Sequence, residues 1–199
     1  MTRKETPLPA TTSQTVGPYF RLGLDALNCR DLAPPGTPGE RISIQGRVLD
    51  GDGVGVPDAM LEIWQADSYG KYADAGQLSE AASAGKSLHP AFRGFGRIPT
   101  DEQGRFSFST IKPGPVPGPG GKQQAPHLVV SVFMRGLLTR LVTRIYFAGH
   151  PLNAQDPIML LVKPERRATL LAAPAGGRPD LLEWNVMLKG QGETVFFDF

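Results

Sequence analysis

From Ile42 onward, hydrophobic and polar residues alternate in short runs broken by glycine and proline. Ile42, Ile44, Gly46 and Val48 alternate with Ser43, Gln45 and Arg47, which predicts a half-buried strand. Asp50-Gly51-Asp52-Gly53 is a turn signal. In Ala59 to Ala66, Met60, Glu62, Trp64 and Ala66 share one face and Leu61, Ile63 and Gln65 the other. A second turn, Asp101-Glu102-Gln103-Gly104, leads into Arg105 to Thr110, where Phe106 and Phe108 share a face. Leu128 to Phe133 and Leu141 to Phe147 read as buried strands. Leu182, Trp184, Val186 and Leu188 alternate through another, and Glu193 to Phe199 predicts an aromatic final strand. One short helix is predicted from Pro164 to Ala172, with the proline in the first turn, where its missing N–H costs nothing. About eight strands without βαβ alternation predict an all-β fold: a β-sandwich of two mostly antiparallel sheets with long Gly/Pro-rich loops.

The first 40 residues break this pattern. Thr11 to Phe20 is small and polar and ends in a Gly-Pro-aromatic turn, and Asp31 to Glu40 is rich in proline and glycine. Such a segment cannot bury a core of its own. It is expected to run over this domain or a neighbouring chain. With 199 residues and no internal repeat, the whole chain, 1–199, is expected to be one domain. The 24 glycines and 19 prolines fit many turns and argue against long helical bundles. The 21 basic and 19 acidic residues balance, and no basic run beyond Arg166-Arg167 suggests nucleic acid or an anionic membrane. Cys29 is the single cysteine, so no internal disulfide is possible, and Met1 to Ala10 lacks an apolar run. A cytoplasmic location without a signal peptide is expected.

The chemical inventory is sparse. His89, His127 and His150 form no HxH or HxxxH pair, and one cysteine excludes thiolate zinc sites. No P-loop, dinucleotide fingerprint or G-x-S-x-G elbow occurs. His127 reads first as a histidine hydrogen-bonded at a strand start, and Tyr72 as a packed loop tyrosine. Arg135 reads either as a solvated arginine at a turn or as a guanidinium placed to hold a carboxylate.

Several segments together resemble the intradiol ring-cleaving dioxygenases, specifically the protocatechuate 3,4-dioxygenase family. They are Thr12-Ser13-Gln14-Thr15-Val16-Gly17-Pro18-Tyr19, Leu61 to Asp67 with Gly70-Lys71-Tyr72, and Thr110-Ile111-Lys112-Pro113-Gly114-Pro115. Ala125-Pro126-His127, Thr143 to Phe147 and Gly192 to Phe199 complete the set. The resemblance implies a non-haem Fe(III) held by two tyrosines and two histidines. Tyr72 matches the first tyrosine, but Val116 stands at the second. His127 matches the first histidine, but Val129 stands at the second. Gln124 stands where the family has an arginine. Valine offers no lone pair to a hard cation.

The resemblance therefore implies an α-type subunit that binds no iron, beside a β subunit that carries the Fe(III). It implies that Thr15, Gly17, Pro18 and Tyr19 line the substrate pocket at the α–β boundary. Arg135 would hold the carboxylate of protocatechuate during O2-dependent cleavage to 3-carboxy-cis,cis-muconate. Two other readings stay open. One is a homo-oligomeric dioxygenase in which Tyr69, Tyr146, His89 or His150 replace the missing ligands. The other is a non-catalytic, transthyretin-like β-sandwich binding module, in which Thr15 to Tyr19 and Arg135 share no pocket.

Overall fold

A computed structural model describes residues 11–17, 19–73 and 92–198. Eleven strands follow one another among these residues: β1 (Arg41–Leu49), β2 (Met60–Gln65), β3 (Phe95–Pro99), β4 (Arg105–Ile111), β5 (Val116–Pro117), β6 (Gln123–Gln124), β7 (His127–Phe133), β8 (Leu141–Phe147), β9 (Leu171–Ala175), β10 (Arg178–Glu183) and β11 (Val186–Met187). Hydrogen bonds order eight of them β11-β1-β10-β9-β8-β7-β2-β3, with β4 on the other edge of β1, and β5 and β6 pair separately. The strands β4-β1-β10 form one layer and β3-β2-β7-β8 the other, and β9 joins them by pairing with both β10 and β8. Most pairs are antiparallel, while β1 with β10, β1 with β11 and β8 with β9 are parallel.

The period-two pattern explains the packing. Ile42, Ile44, Phe106 and Phe108 of one layer meet Leu61, Ile63, Ile98, Leu128, Val130, Val132 and Ile145 of the other in one buried cluster. Each side chain buried in such a core contributes on the order of 2 kcal/mol. The intervening residues of β7 (His127, Val129, Ser131 and Phe133) therefore point outward, away from the sandwich.

The run Leu182 to Leu188 is not one strand. It divides into β10 and β11, which share one edge of β1, and the break falls at Gly46. A Cβ there would run into the Trp184 carbonyl, so only glycine lets the chain step in at this point. The segment Pro164–Leu170 is a 3₁₀ helix, and Leu171 already belongs to β9. Among the described residues the one α-helix, α1 (Tyr19–Leu24), lies instead in the N-terminal segment expected to be irregular. Glu193 to Asp198 forms no strand. β9 covers only Tyr146 and Phe147 of β8, and Phe197 makes a single bridge to Val142 farther along. Phe199 lies outside the described residues. The strands β3, β5, β6 and β9 were not anticipated: all are short, β3, β5 and β9 contain glycine or proline, and β6 is only two glutamines.

The N-terminal segment packs on its own domain as far as it is described. Cys29 N–H donates to Arg97 O at 2.9 Å and Leu32 N–H to Ser109 O at 2.9 Å, which ties the segment to β3 and β4. Leu32 is buried between the layers. No helix among the described residues is long and apolar enough to cross a membrane.

Candidate functional site

Two clusters of interest lie at opposite ends of β7, on its outward face. Six residue steps separate His127 from Phe133, which at about 3.3 Å per residue is roughly 20 Å.

At the first end, His127 opens β7 opposite Tyr146, and Val129 sits between Trp64 of β2 and Arg144 of β8. Directly opposed residues share a face, so the Arg144 side chain projects beside Val129. Val116 pairs with Gln124 in the β5–β6 hairpin. Tyr72 stacks its ring 6.3 Å from Trp64 in the loop after β2. That loop docks tightly on the Pro113-Gly114-Pro115 segment. Gly114 N–H donates to Asp67 O at 2.8 Å, and a Cβ on Gly70 (φ +78) would strike the Pro115 carbonyl. The four positions expected from the ligand pattern thus lie in elements that meet at one end of the sheet, under a second small core of Ala125, Tyr146, Met159, Val162 and Leu170.

A charge network fills this region. Arg144 Nη1 donates to Gln124 Oε1 at 2.7 Å and to the Tyr146 hydroxyl at 3.2 Å. The Tyr146 hydroxyl donates to Asp156 Oδ1 at 3.1 Å. Fully buried Asp156 also accepts the backbone N–H groups of Ala125 at 2.7 Å, Ile158 at 2.9 Å and Met159 at 2.8 Å. His127 is buried, with Nδ1 2.8 Å from Ala125 O and its ring 5.6 Å from that of Tyr146. Burial first, and then the Arg144 guanidinium, hold the imidazole down at about 4, against the opposing pulls of Ala125 O and Asp156. Partial burial pushes the Tyr72 phenol up while Arg144 draws it down. Burial pushes Tyr146 far up, again against Arg144.

These residues do not fit Fe(III). Val116 and Val129 offer no donor atom, and the side chain facing Val129 is a cation. A triply charged ion prefers anionic oxygen donors, and here a guanidinium occupies the position beside it. Among the described residues no group of three or more His, Cys, Asp or Glu side chains could hold a metal. The substitute ligands do not assemble either. Tyr146 is engaged with Arg144 and Asp156, Tyr69 is exposed, and His150 Nδ1 accepts the Leu152 N–H at 3.3 Å. His89 lies outside the described residues.

The second end gathers residues far apart in sequence. Arg135 follows β7, with Nε 3.0 Å from Asp58 Oδ2, and its side chain is 61% exposed. The next residue, Gly136, donates its N–H to Thr15 Oγ1 at 2.7 Å. Phe20 packs its ring 5.4 Å from Phe133, and Arg21 Nη1 donates to Pro57 O at 2.6 Å. The N-terminal segment thus bridges the loop bearing Asp58 and the turn bearing Arg135. Gly17 (φ +69) makes the bend between Thr15 and α1, with open space on its Cβ side. Tyr19 opens α1 and is 81% exposed. Pro18 lies outside the described residues. A hollow of about 70 Å³ lined by Val16, Phe133, Met134 and Leu138 adjoins the turn. Asp58, Arg21 and Arg144 were not singled out in the sequence. Each acquires its partner only through folding, and nothing local marks it.

The Dioxygenase family model matches residues 17–190. The chain is 42% identical over 207 residues to the protocatechuate 3,4-dioxygenase alpha chain of Burkholderia cepacia, covering 97% of this chain and 99% of that one.

The chain belongs to the intradiol dioxygenase family, among its protocatechuate 3,4-dioxygenase alpha chains.

Similarity to the protocatechuate 3,4-dioxygenase beta chain of the same organism is lower, 37% over 163 residues, with 78% of this chain and 67% of that chain covered. Among solved structures, 3-chlorocatechol 1,2-dioxygenase from Rhodococcus opacus 1CP shares the fold, with a TM-score of 0.61 at 22% identity over 94% of this chain and 69% of that one. The chain keeps the family's sandwich, and valines stand at two of its four expected ligand positions.

Proposed function

We propose that this chain is the iron-free α subunit of a cytoplasmic, heteromeric protocatechuate 3,4-dioxygenase. Its β partner holds the Fe(III). This chain completes the partner's substrate pocket for O2-dependent cleavage of protocatechuate to 3-carboxy-cis,cis-muconate.

The observation that carries this reading is the separation along β7. Arg135 and Thr15 stand at the end opposite the chain's own ligand-like positions, roughly 20 Å away. A substrate reaching Arg135 is therefore addressed by a second chain. Arg135 attracts and orients the substrate carboxylate, which restricts the approach of the ring to the reacting groups. Thr15 holds the Arg135 turn through Gly136, and Gly17 and Tyr19 form a wall. The exposed side chains of Tyr19, Leu22 and Leu27 face outward from α1 and the turn after it. They offer an apolar surface through which the N-terminal segment, within residues 1–40, packs on the β subunit. A plain binding module requires no convergence of Thr15 with the Arg135 turn, and their direct hydrogen bond favours the enzymatic reading.

The test is to express the chain alone and together with its β partner, then measure iron and protocatechuate-dependent O2 uptake. The isolated chain is expected to carry no stoichiometric iron, and the pair to carry iron and activity. Stoichiometric iron in the isolated chain overturns the proposal. In the pair, Arg135→Ala is expected to raise KM for protocatechuate by about 1–3 kcal/mol in binding terms, with iron retained.

A further inference from the structure

We infer that Asp58 is a positioning residue for Arg135: its largely buried carboxylate anchors the guanidinium as an ion pair and leaves the terminal nitrogens to receive a second carboxylate.

Arg135 Nε lies 3.0 Å from Asp58 Oδ2. The contact is ionic: among the described residues no hydrogen bond engages any nitrogen of the Arg135 guanidinium, and Asp58 Oδ2 is buried without a hydrogen-bond partner of its own. The buried, otherwise unpaired Asp58 oxygen draws the guanidinium towards it, while the terminal nitrogens keep their donors free for a planar carboxylate. The two partners differ in exposure. The Arg135 side chain is 61% exposed, whereas that of Asp58 is 16% exposed. The carboxylate is the fixed member of the pair. Arg21 Nη1 holds Pro57 O at 2.6 Å immediately before it. Thr100 accepts the Ala59 N–H at 3.1 Å immediately after it and donates to Val56 O at 2.8 Å. A loop pinned on both sides anchors the pair, and Thr15 pins the Arg135 turn from the other direction through Gly136. A long, flexible arginine is thereby drawn to one place before substrate arrives, which lowers the ordering cost of binding.

Charge alone predicts the opposite effect. Asp58 is an anion close to the place proposed for a substrate carboxylate, so removing its charge would by Coulomb attraction alone tighten binding. Positioning predicts that its removal weakens binding, and the sign separates the two.

This inference rests on Arg135 facing the substrate carboxylate. The experiment uses the assembled αβ enzyme with Asp58→Asn, which keeps the side-chain shape, and Arg135→Ala. Asp58→Asn is expected to raise KM for protocatechuate roughly 3–10-fold, with kcat and iron content unchanged. It should leave KM for a catechol lacking the carboxylate unchanged, and it should have no further effect in the Arg135→Ala background. If Arg135→Ala raises KM while Asp58→Asn leaves it unchanged or lowers it, the positioning role is overturned and the reading of Arg135 stands. If Asp58→Asn raises KM equally for the catechol without a carboxylate, general damage explains it and the inference is overturned. If Arg135→Ala leaves KM unchanged, the proposed substrate role of Arg135 fails, and the inference with it.

Discussion

Arg144 stands directly across the β7–β8 ladder from Val129. One residue lacks a donor atom where a metal ligand was expected, and its neighbour brings a fixed positive charge to the same face. The pocket is therefore closed to a cation twice over. Arg144 also links the surrounding elements through Gln124, Tyr146 and, by way of Tyr146, Asp156.

Restoring the missing ligands alone should fail. In the isolated chain, Val116→Tyr with Val129→His is expected to bind Fe(III) substoichiometrically. A unit charge about 5 Å from a triply charged ion costs roughly 10 kcal/mol at an effective dielectric of about 20. Adding Arg144→Gln to the pair should raise the bound iron measurably in metal analysis. Stoichiometric iron in the double variant would show that Arg144 is no barrier.

The Asp156 carboxylate organises the loop cover of this region by accepting from three backbone N–H groups and one hydroxyl. Asp156→Ala strands those donors in a buried setting and is expected to cost about 3–5 kcal/mol in urea denaturation. Tyr146→Phe removes only the hydroxyl and should cost about 1 kcal/mol. Equal losses for the two would contradict the assigned hierarchy.

His127 makes stability depend on pH. Its folded value lies near 4, below the ordinary 6.5. Above about 6.5 the imidazole is neutral in both states and stability is full. As pH falls from 6.5 towards 4, the unfolded chain takes up a proton that the folded chain resists, so stability declines. The whole window is worth on the order of 3 kcal/mol. Wild type should lose more stability than His127→Gln between pH 7.5 and 5 in chemical denaturation. Parallel losses would remove His127 as the cause.

Thr15→Val keeps the side-chain shape and removes the acceptor for Gly136 N–H. The lost bond is expected to cost about 1 kcal/mol of stability. In the assembled enzyme it should also raise KM for protocatechuate, with kcat little changed, because the Arg135 turn loses its tether. A change confined to kcat would place Thr15 elsewhere in the reaction.

The local alternation of side chains carried much of the fold. Ile42 with Ile44 and Phe106 with Phe108 each predicted a shared face, because a strand forces alternate residues to opposite sides. The final segment from Glu193 misled, since its aromatic composition suits a strand but β8 offers it only one bridge at Val142. The split at Gly46 was also hidden, because it depends on a carbonyl contributed by Trp184, far along the chain.

For the site, the sequence by itself determined which chemistry was absent. Val116 and Val129 are valines in any fold, and no arrangement gives them a lone pair. It also determined that Tyr72 and His127 remained of the expected pattern. The tertiary structure decided what stands beside the expected ligand position, because Arg144 faces Val129 only through strand register. It likewise decided that Thr15 holds the turn of Arg135 and that Asp58 meets its guanidinium. Those pairs join loops and strand ends distant in sequence. Periodicity reports the direction of each side chain along its own element, whereas the identity of its partner depends on how separate elements pack.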